Sequence, residues 1–186
     1  MSDQPCWHFR AVDLLAVVAG LLVAGWAAAA SAQSVPCASL DLQVAIVPTE
    51  PPSCSGGASD SGDSDGLWEY IEMYVDAMYV GVAQQKAGVR SIFYRPKLEE
   101  WVPDILGDDA DKIEWGDEIA DDRFDVRRFD VNVDSRTTYV CVGFLATGAK
   151  MMGSDVKQVV YGIFCNFDGS VFFDSDVTEL LTKISF

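Results

Sequence analysis

The sequence predicts an α+β fold in which a long N-terminal helix packs on a four-stranded antiparallel meander, stabilised by disulfide bonds. Three observations support this prediction. Apolar residues recur at three- and four-residue steps between residues 66 and 89, which is typical of an amphipathic helix. Apolar and polar residues alternate through the last third of the chain, as they do in β-strands. Four of the five cysteines lie after residue 32.

Residues 1–32 are predicted to be a signal peptide. An apolar stretch from Leu14 to Ala30 ends in Ala30-Ser31-Ala32, the small-residue pattern that signal peptidase recognises, and cleavage would leave Gln33 first. The alternative is an uncleaved signal anchor, because this stretch is just long enough to span a bilayer. Both interpretations place the rest of the chain outside the cytoplasm, in the periplasm or the medium.

Removal of this segment also removes His8, the only histidine of the chain. Ser-His-Asp and Cys-His nucleophile systems and histidine-ligated zinc all require an imidazole, so the sequence predicts no catalytic residues. The net charge of −16 and the pI near 4.1 argue against nucleic acid as a partner, because binding to phosphates needs a basic surface.

Residues 33–65 form a Pro/Gly/Ser-rich segment ahead of an α+β domain at 66–186. An even number of cysteines in an exported chain indicates disulfides. We expect Cys37 and Cys54 to pair, and closing a loop of this length contributes about 3 kcal/mol.

The expected long helix covers residues 66–89, and its proposed apolar face comprises Leu67, Trp68, Ile71, Tyr74, Val75, Met78, Tyr79 and Val82. Pro96 and Pro103 frame a second, short helix around Leu98 to Val102. Ten acidic residues then occur between Asp104 and Asp125.

The meander is predicted from four segments near Phe129–Val133, Thr138–Ala146, Val159–Phe167 and Ser170–Phe173. Asp168-Gly169 is a strong signal for a two-residue hairpin turn. Phe124 and Val126 have the opposite parity to Phe129 and Val131, which predicts a β-bulge at Arg127-Arg128.

A hairpin centred on Gly153 places Cys141 directly opposite Cys165, and we expect these two cysteines to form the second disulfide. The same register predicts two apolar sheet faces. The first comprises Phe129, Val131, Val133, Val140, Val142, Phe144, Val160, Phe164, Val171 and Phe173. The second comprises Tyr139, Cys141, Leu145, Tyr161, Ile163, Cys165, Phe167 and Phe172.

An antiparallel sheet usually exposes one face, so the second face needs a cover. The C-terminal residues are one candidate, with a capping box at Asp176 and Glu179 ahead of Leu180, Leu181 and Ile184. The N-terminal disulfide segment is another, and a protein partner or a second copy, as in a homodimer, is the third. The residues expected on a partner surface are Tyr139, Tyr161, Phe167, Phe172, Asp117, Glu118, Asp121 and Asp122.

Calcium is the one cofactor for which the sequence offers a motif. Ser61-x-Asp63-x-Asp65-Gly66, with Glu72 at the twelfth position, resembles an EF-hand loop, and Asp63, Asp65 and Glu72 would be the ligands. An acidic linker that ends in a helix cap explains the same residues.

Together these features predict an exported, non-catalytic binding protein of the cell envelope, of the inhibitor, immunity or assembly-accessory type. It would act through contact with a protein partner, and its charge favours a cationic one. In outline, the expected helix and meander resemble NTF2-like and cystatin-like domains. The alternative function is that of a small domain of this type, with a ligand or hydrolase cavity that uses carboxylates and tyrosines; the likeness in fold does not itself transfer function.

Overall fold

The computed structural model describes residues 33–59, 66–88, 92–94, 96–107, 112–132, 137–148 and 155–186. The predicted signal peptide lies outside them. The described strands are β1 (Gln33–Ser34), β2 (Gln43–Val44), β3 (Ser53–Ser59), β4 (Gly66–Val75), β5 (Met78–Lys86), β6 (Phe93–Tyr94), β7 (Ile113–Ile119), β8 (Asp125–Asn132), β9 (Thr138–Thr147), β10 (Asp155–Val156), β11 (Gln158–Asn166) and β12 (Ile184–Ser185). The described α-helices are α1 (Leu98–Leu106) and α2 (Asp174–Thr182).

Eight of these strands form one antiparallel sheet, in the order β1-β3-β4-β5-β11-β9-β8-β7. Two short pairs, β6 with β10 and β2 with β12, lie outside it. β3 pairs with β4 from Ser53 to Ser59, so the Pro/Gly/Ser-rich segment contributes directly to the main sheet. The fold is therefore mostly β, and the predicted α+β class is wrong.

The long helix predicted at residues 66–89 does not form. Residues 66–86 form the hairpin β4–β5 instead, which turns at Asp76 with φ of 53°. Val89 lies outside the described residues. Asparagine and aspartate tolerate this left-handed conformation better than most residues do, so Asp76 is a suitable turn residue.

The false helical period has a physical origin in the burial of both faces of β4. Ile71 and Met73 pack in one core, while Tyr70 and Tyr74 pack on the opposite side of the sheet. Apolar residues therefore occupy both odd and even positions, and the intervals between them include steps of three and four. Such a strand lacks the two-residue alternation by which half-buried strands are recognised.

Three of the four predicted C-terminal strands are confirmed as β8, β9 and β11. The fourth prediction, Ser170–Phe173, is wrong, because this stretch is coil leading into α2. The chain does turn at Asp168, whose carboxylate accepts a hydrogen bond from the Ser170 amide at 2.9 Å. A further strand cannot pair with β11, because β9 and β5 occupy both of its edges.

The bulge predicted at Arg127-Arg128 is also wrong. β8 pairs with β9 without interruption, and the register shift lies on β7, between Trp115 and Glu118. Phe129 lies opposite Cys141, which puts Phe129 on the cysteine-bearing face and not on the face predicted for it.

Val131 follows Phe129 onto the cysteine-bearing face, whereas Phe124 and Val126 point into the other core. Their opposite parity thus reflects two buried faces and requires no bulge in β8. The predicted division is confirmed for Val142, Phe144, Val160 and Phe164 on one face and for Cys141, Leu145, Tyr161, Ile163 and Cys165 on the other. It is wrong for Phe172, which packs on the face of Val142, and for Val171 and Phe173, which are exposed because this stretch is coil. Val133 lies outside the described residues.

The chain itself covers both faces of the sheet. The face that carries Val142 is covered by the N-terminal segment and α2, whose buried side chains include Leu40, Leu42, Val177 and Leu181. The face that carries Cys141 is covered by α1 through Leu98, Val102 and Leu106. The sequence suggested two segments of the chain as covers for a sheet face, namely the N-terminal disulfide segment and the C-terminal residues. Both of them lie on the face that carries Val142.

Each helix differs in detail from its prediction. α1 begins at Leu98 as expected but continues through Pro103 to Leu106. α2 follows Phe173 and has no side-chain cap, so the predicted capping box of Asp176 and Glu179 is wrong.

Two glycines allow α1 to approach the sheet closely. A Cβ atom on Gly143 would lie 3.1 Å from the side chain of Val102, and one on Gly81 would lie 3.1 Å from that of Ile105. The ring of Tyr79 also lies over Gly81, with atoms 3.0 Å from the same Cβ position. Small residues at these positions therefore set the distance between helix and sheet.

Both predicted disulfides are confirmed. Cys141 and Cys165 are direct partners on β9 and β11, with Cα atoms 4.1 Å apart. Cys37 and Cys54 join the N-terminal segment to β3, with Cα atoms 5.2 Å apart.

Glu69 provides a second anchor for the N-terminal segment. Its carboxylate accepts hydrogen bonds from the backbone amides of Asp41 at 3.0 Å and Leu42 at 2.8 Å, and from the side chain of the buried Gln84 at 3.0 Å. Lys86 pairs with Asp41 at 2.7 Å. These bonds hold Leu42 in the core.

Candidate functional site

A cleft of about 320 Å³ opens where the start of α1 faces the β7–β8 connection. Its apolar floor consists of Ile119, Phe124 and Val126, whose side chains are largely buried. The charged residues that line it are Lys97, Glu99, Glu118, Asp121, Asp125 and Arg127. The cleft thus combines an apolar floor with a mainly acidic rim.

A tight turn between β7 and β8 shapes one wall of the cleft. The Asp121 carboxylate accepts hydrogen bonds from the backbone amides of Arg123 at 2.8 Å and Phe124 at 3.0 Å. Side chains of this type stabilise turns by satisfying amides of the following residues. The turn directs the Phe124 ring inward, where it packs edge-on against Phe144 with centroids 5.7 Å apart.

Arg127 crosses from β8 to α1 and is neutralised within the protein. Its guanidinium donates to Glu99 at 2.9 Å and to the carbonyl of Gly116 at 2.8 Å, and it lies 5.7 Å from the Trp115 ring centroid. The carbonyl that it contacts belongs to the irregular part of β7. Arg127 therefore fixes the position of α1 relative to the edge strand.

The other acidic residues of the cleft are less compensated. The Lys97 ammonium group lies 3.5 Å from the carboxylate of Glu100, a residue that does not line the cleft. No lysine or arginine in the described part of the chain forms an ion pair with Glu118 or Asp125. These carboxylates remain available to a cationic group from outside.

A second polar cluster lies on the face of the sheet that α1 covers. Strands β11 and β9 separate it from the cleft. The hydroxyl oxygens of Tyr70 and Tyr79 are 2.5 Å apart, and Tyr79 donates to the Glu72 carboxylate at 3.5 Å. Burial raises the pKa of both tyrosines and of Glu72. Burial therefore disfavours ionisation of these groups, which suits a structural hydrogen-bond network.

The predicted acidic surface residues lie together at this end of the sheet. Asp117 and Glu118 are exposed on β7, Asp121 is half-buried and Asp122 is exposed in the following turn. Glu118 and Asp121 line the cleft.

The predicted aromatic surface residues do not form one exposed patch. Tyr139 and Phe167 are half-buried and pack together with centroids 4.7 Å apart. Tyr161 is buried beneath Trp101 at 4.9 Å, and Phe172 is buried in the opposite core. Tyr161 and Phe172 therefore serve packing, because α1 and the N-terminal segment cover the faces that they occupy.

The candidate calcium ligands are divided between described and undescribed parts. Asp63 and Asp65 lie outside the described residues, whereas Glu72 lies within β4, opposite Ser53 and Gly81. Strand β3 ends just before the candidate motif and β4 begins within it, whereas helices flank the calcium loop of an EF-hand. Calcium binding stays a prediction.

Sequence reasoning missed Lys97, Glu99, Phe124, Asp125 and Arg127 as cleft residues. The sequence marked this region by its run of acidic residues, from which Glu118 and Asp121 were expected on a partner surface, and by the changed parity at Phe124. The approach of α1 to the β7–β8 turn depends on contacts between distant parts of the chain, which no local pattern records.

Comparison with protein-family models, curated proteins and solved structures finds no match for this chain. Among the described residues, no group of three or more His, Cys, Asp or Glu side chains is arranged to hold a metal ion. None of the described helices is long and apolar enough to cross a bilayer.

Proposed function

We propose that this chain is an exported, non-catalytic binding protein of the cell envelope that holds a cationic segment of a protein partner in the acid-rimmed cleft. The observation that carries the proposal is the placement of Glu118 and Asp125 beside an apolar floor. Such a site suits a segment in which basic side chains flank an apolar one. The electrostatic field of an acidic protein also speeds the approach of a cationic partner.

Export is supported by the sequence of residues 1–32 and by the two disulfides, which fit an oxidising compartment. We propose that signal peptidase removes this segment after Ala32.

A binding role is favoured over catalysis by the chemistry of the residues in 33–186. This part of the sequence contains no histidine, and burial raises the pKa values of Tyr70, Tyr79 and Tyr161 away from the range of a general base. Buried tyrosines of this kind contribute to packing and hydrogen bonding.

The proposal is tested by titrating residues 33–186 with a short synthetic peptide that carries lysines on both sides of a leucine, with a glutamine-for-lysine peptide as control. Binding should weaken as salt rises. The double variant Glu118→Gln/Asp125→Asn should lose about tenfold in affinity at low salt, which corresponds to about 1.4 kcal/mol for two rim charges.

The matched control is Glu50→Gln/Glu179→Gln, which removes the same charge from exposed positions outside the cleft. This variant should bind the lysine peptide like the unaltered protein. Equal losses in the two double variants would show that only net charge matters and would refute the cleft as the site. Absence of binding at low salt would refute the cationic specificity.

A further inference from the structure

Gln33 is the residue that cleavage of the signal peptide would leave first, and it is exposed in the fold. It directly follows the predicted cleavage site Ala30-Ser31-Ala32 and is the first residue of β1. Its side chain is exposed and makes no hydrogen bond to the part of the chain that the structure describes. After cleavage, the α-amine and the side-chain amide of one residue would lie within reach of each other, because the five-membered ring that joins them needs no other group.

We infer that the exported protein carries pyroglutamate at position 33. This inference rests on the proposed export and cleavage. The α-amino nitrogen of Gln33 attacks Cδ of its own side chain, so that an N–Cδ bond forms and the Cδ–Nε2 bond breaks. A proton from the amine passes to the departing nitrogen, which leaves as ammonia. The step needs neither an oxidant nor a reductant, and the product is a neutral lactam.

The structure around residue 33 has room for the pyroglutamate ring. Gln33 lies opposite Gly56 on β3, so no side chain stands across from it on the neighbouring strand. The next contacts along the chain are the hydrogen bond from the Val35 amide to the Cys54 carbonyl at 3.1 Å and the Cys37–Cys54 disulfide. The lactam nitrogen keeps one hydrogen, so the residue retains a backbone donor for pairing with β3.

The consequence is an N-terminus without an α-ammonium group, fixed at the edge of the main sheet. Loss of this charge leaves a neutral end beside β3. Aminopeptidases that require a free amine would have no site of attack at this end of the chain.

The experiment is expression of the full chain, with its leader, in a bacterium that exports it, followed by intact-mass measurement and N-terminal sequencing. We expect a mass for residues 33–186 with two disulfides, lower by one ammonia, and complete loss of the sequencing signal. Pyroglutamyl aminopeptidase, applied after unfolding and reduction, should restore a sequence that begins at Ser34.

Two variants keep the outcome decisive. Gln33→Ala cannot form the ring and Gln33→Glu forms it far more slowly, so both should give open N-termini. An unaltered chain that begins at Gln33 and stays open to sequencing after long incubation would overturn the inference and leave export intact. A chain that begins elsewhere, or retains its leader, would overturn both the proposed cleavage and the pyroglutamate.

Discussion

The ring of Tyr79 lies across Gly81 and brings its hydroxyl oxygen to 2.5 Å from that of Tyr70. A side chain at position 81 would occupy the space of this ring. The glycine therefore allows a hydrogen-bond network of two tyrosines and Glu72 to form beside α1. The pH dependence of stability should follow from these buried groups.

The first prediction concerns Glu72. Burial raises the pKa of its carboxyl group above the ordinary value of 4.5. The folded state thus binds this proton more tightly than the unfolded state, so the contribution to stability is greatest at low pH and is lost as pH rises through the raised pKa. Glu72→Gln, which is always neutral, should increase the free energy of unfolding at pH 7 and change it little at pH 4.

Urea unfolding of both proteins across this pH range is the measurement. Glu179→Gln serves as the control, because Glu179 is exposed on α2. A Glu72→Gln protein that is less stable than the unaltered protein at pH 7 would contradict the prediction.

The second prediction concerns tyrosine ionisation. Burial raises the pKa of Tyr161 to about 12, whereas a tyrosine in an unfolded chain ionises near 10. Because the unfolded state loses its protons first, the free energy of unfolding should fall as pH rises from about 10 to 12. Burial acts in the same direction on the pKa values of Tyr70 and Tyr79.

Tyrosinate absorbance, recorded together with circular dichroism, tests this expectation. Some tyrosines should ionise only as the fold is lost, and Tyr161→Phe should weaken the dependence of stability on pH above 10. If every tyrosine titrated near 10 with the fold intact, the prediction would be wrong.

The third prediction ranks alanine substitutions at three glycines. At Gly162, a Cβ would lie 2.3 Å from the Phe144 ring and 2.5 Å from the carbonyl oxygen of Gly81, so Gly162→Ala should be the most destabilising, by more than about 3 kcal/mol. Gly143→Ala meets Val102 at 3.1 Å and should cost about 1–3 kcal/mol.

Gly57→Ala is the matched control, since its Cβ would make an ordinary contact with Trp68 at 3.5 Å. Its effect should stay within about 0.5 kcal/mol. Thermal and urea unfolding of the three variants gives the ranking. Equal effects at Gly57 and Gly162 would mean that backbone entropy, and not crowding, controls these positions.

Local sequence patterns were sufficient for the features that depend on neighbouring residues. Thr138–Thr147 and Gln158–Asn166 are strands with clear turn residues between them, and their symmetric spacing placed Cys141 opposite Cys165. Pro96 predicted the start of α1 at Leu98. Each of these features is fixed within one hairpin or one helical turn.

The sequence by itself determined the disulfide pairs, three C-terminal strands and the acidic character of residues 104–125. Only the tertiary structure decided that residues 66–86 form a hairpin and that the acidic residues lie beside an apolar floor at the start of α1. The physical reason is that β5 pairs with β11, far along the chain, and that both sheet faces are buried. Burial on both faces erases the alternation that identifies a strand, and long-range pairing leaves no local signal.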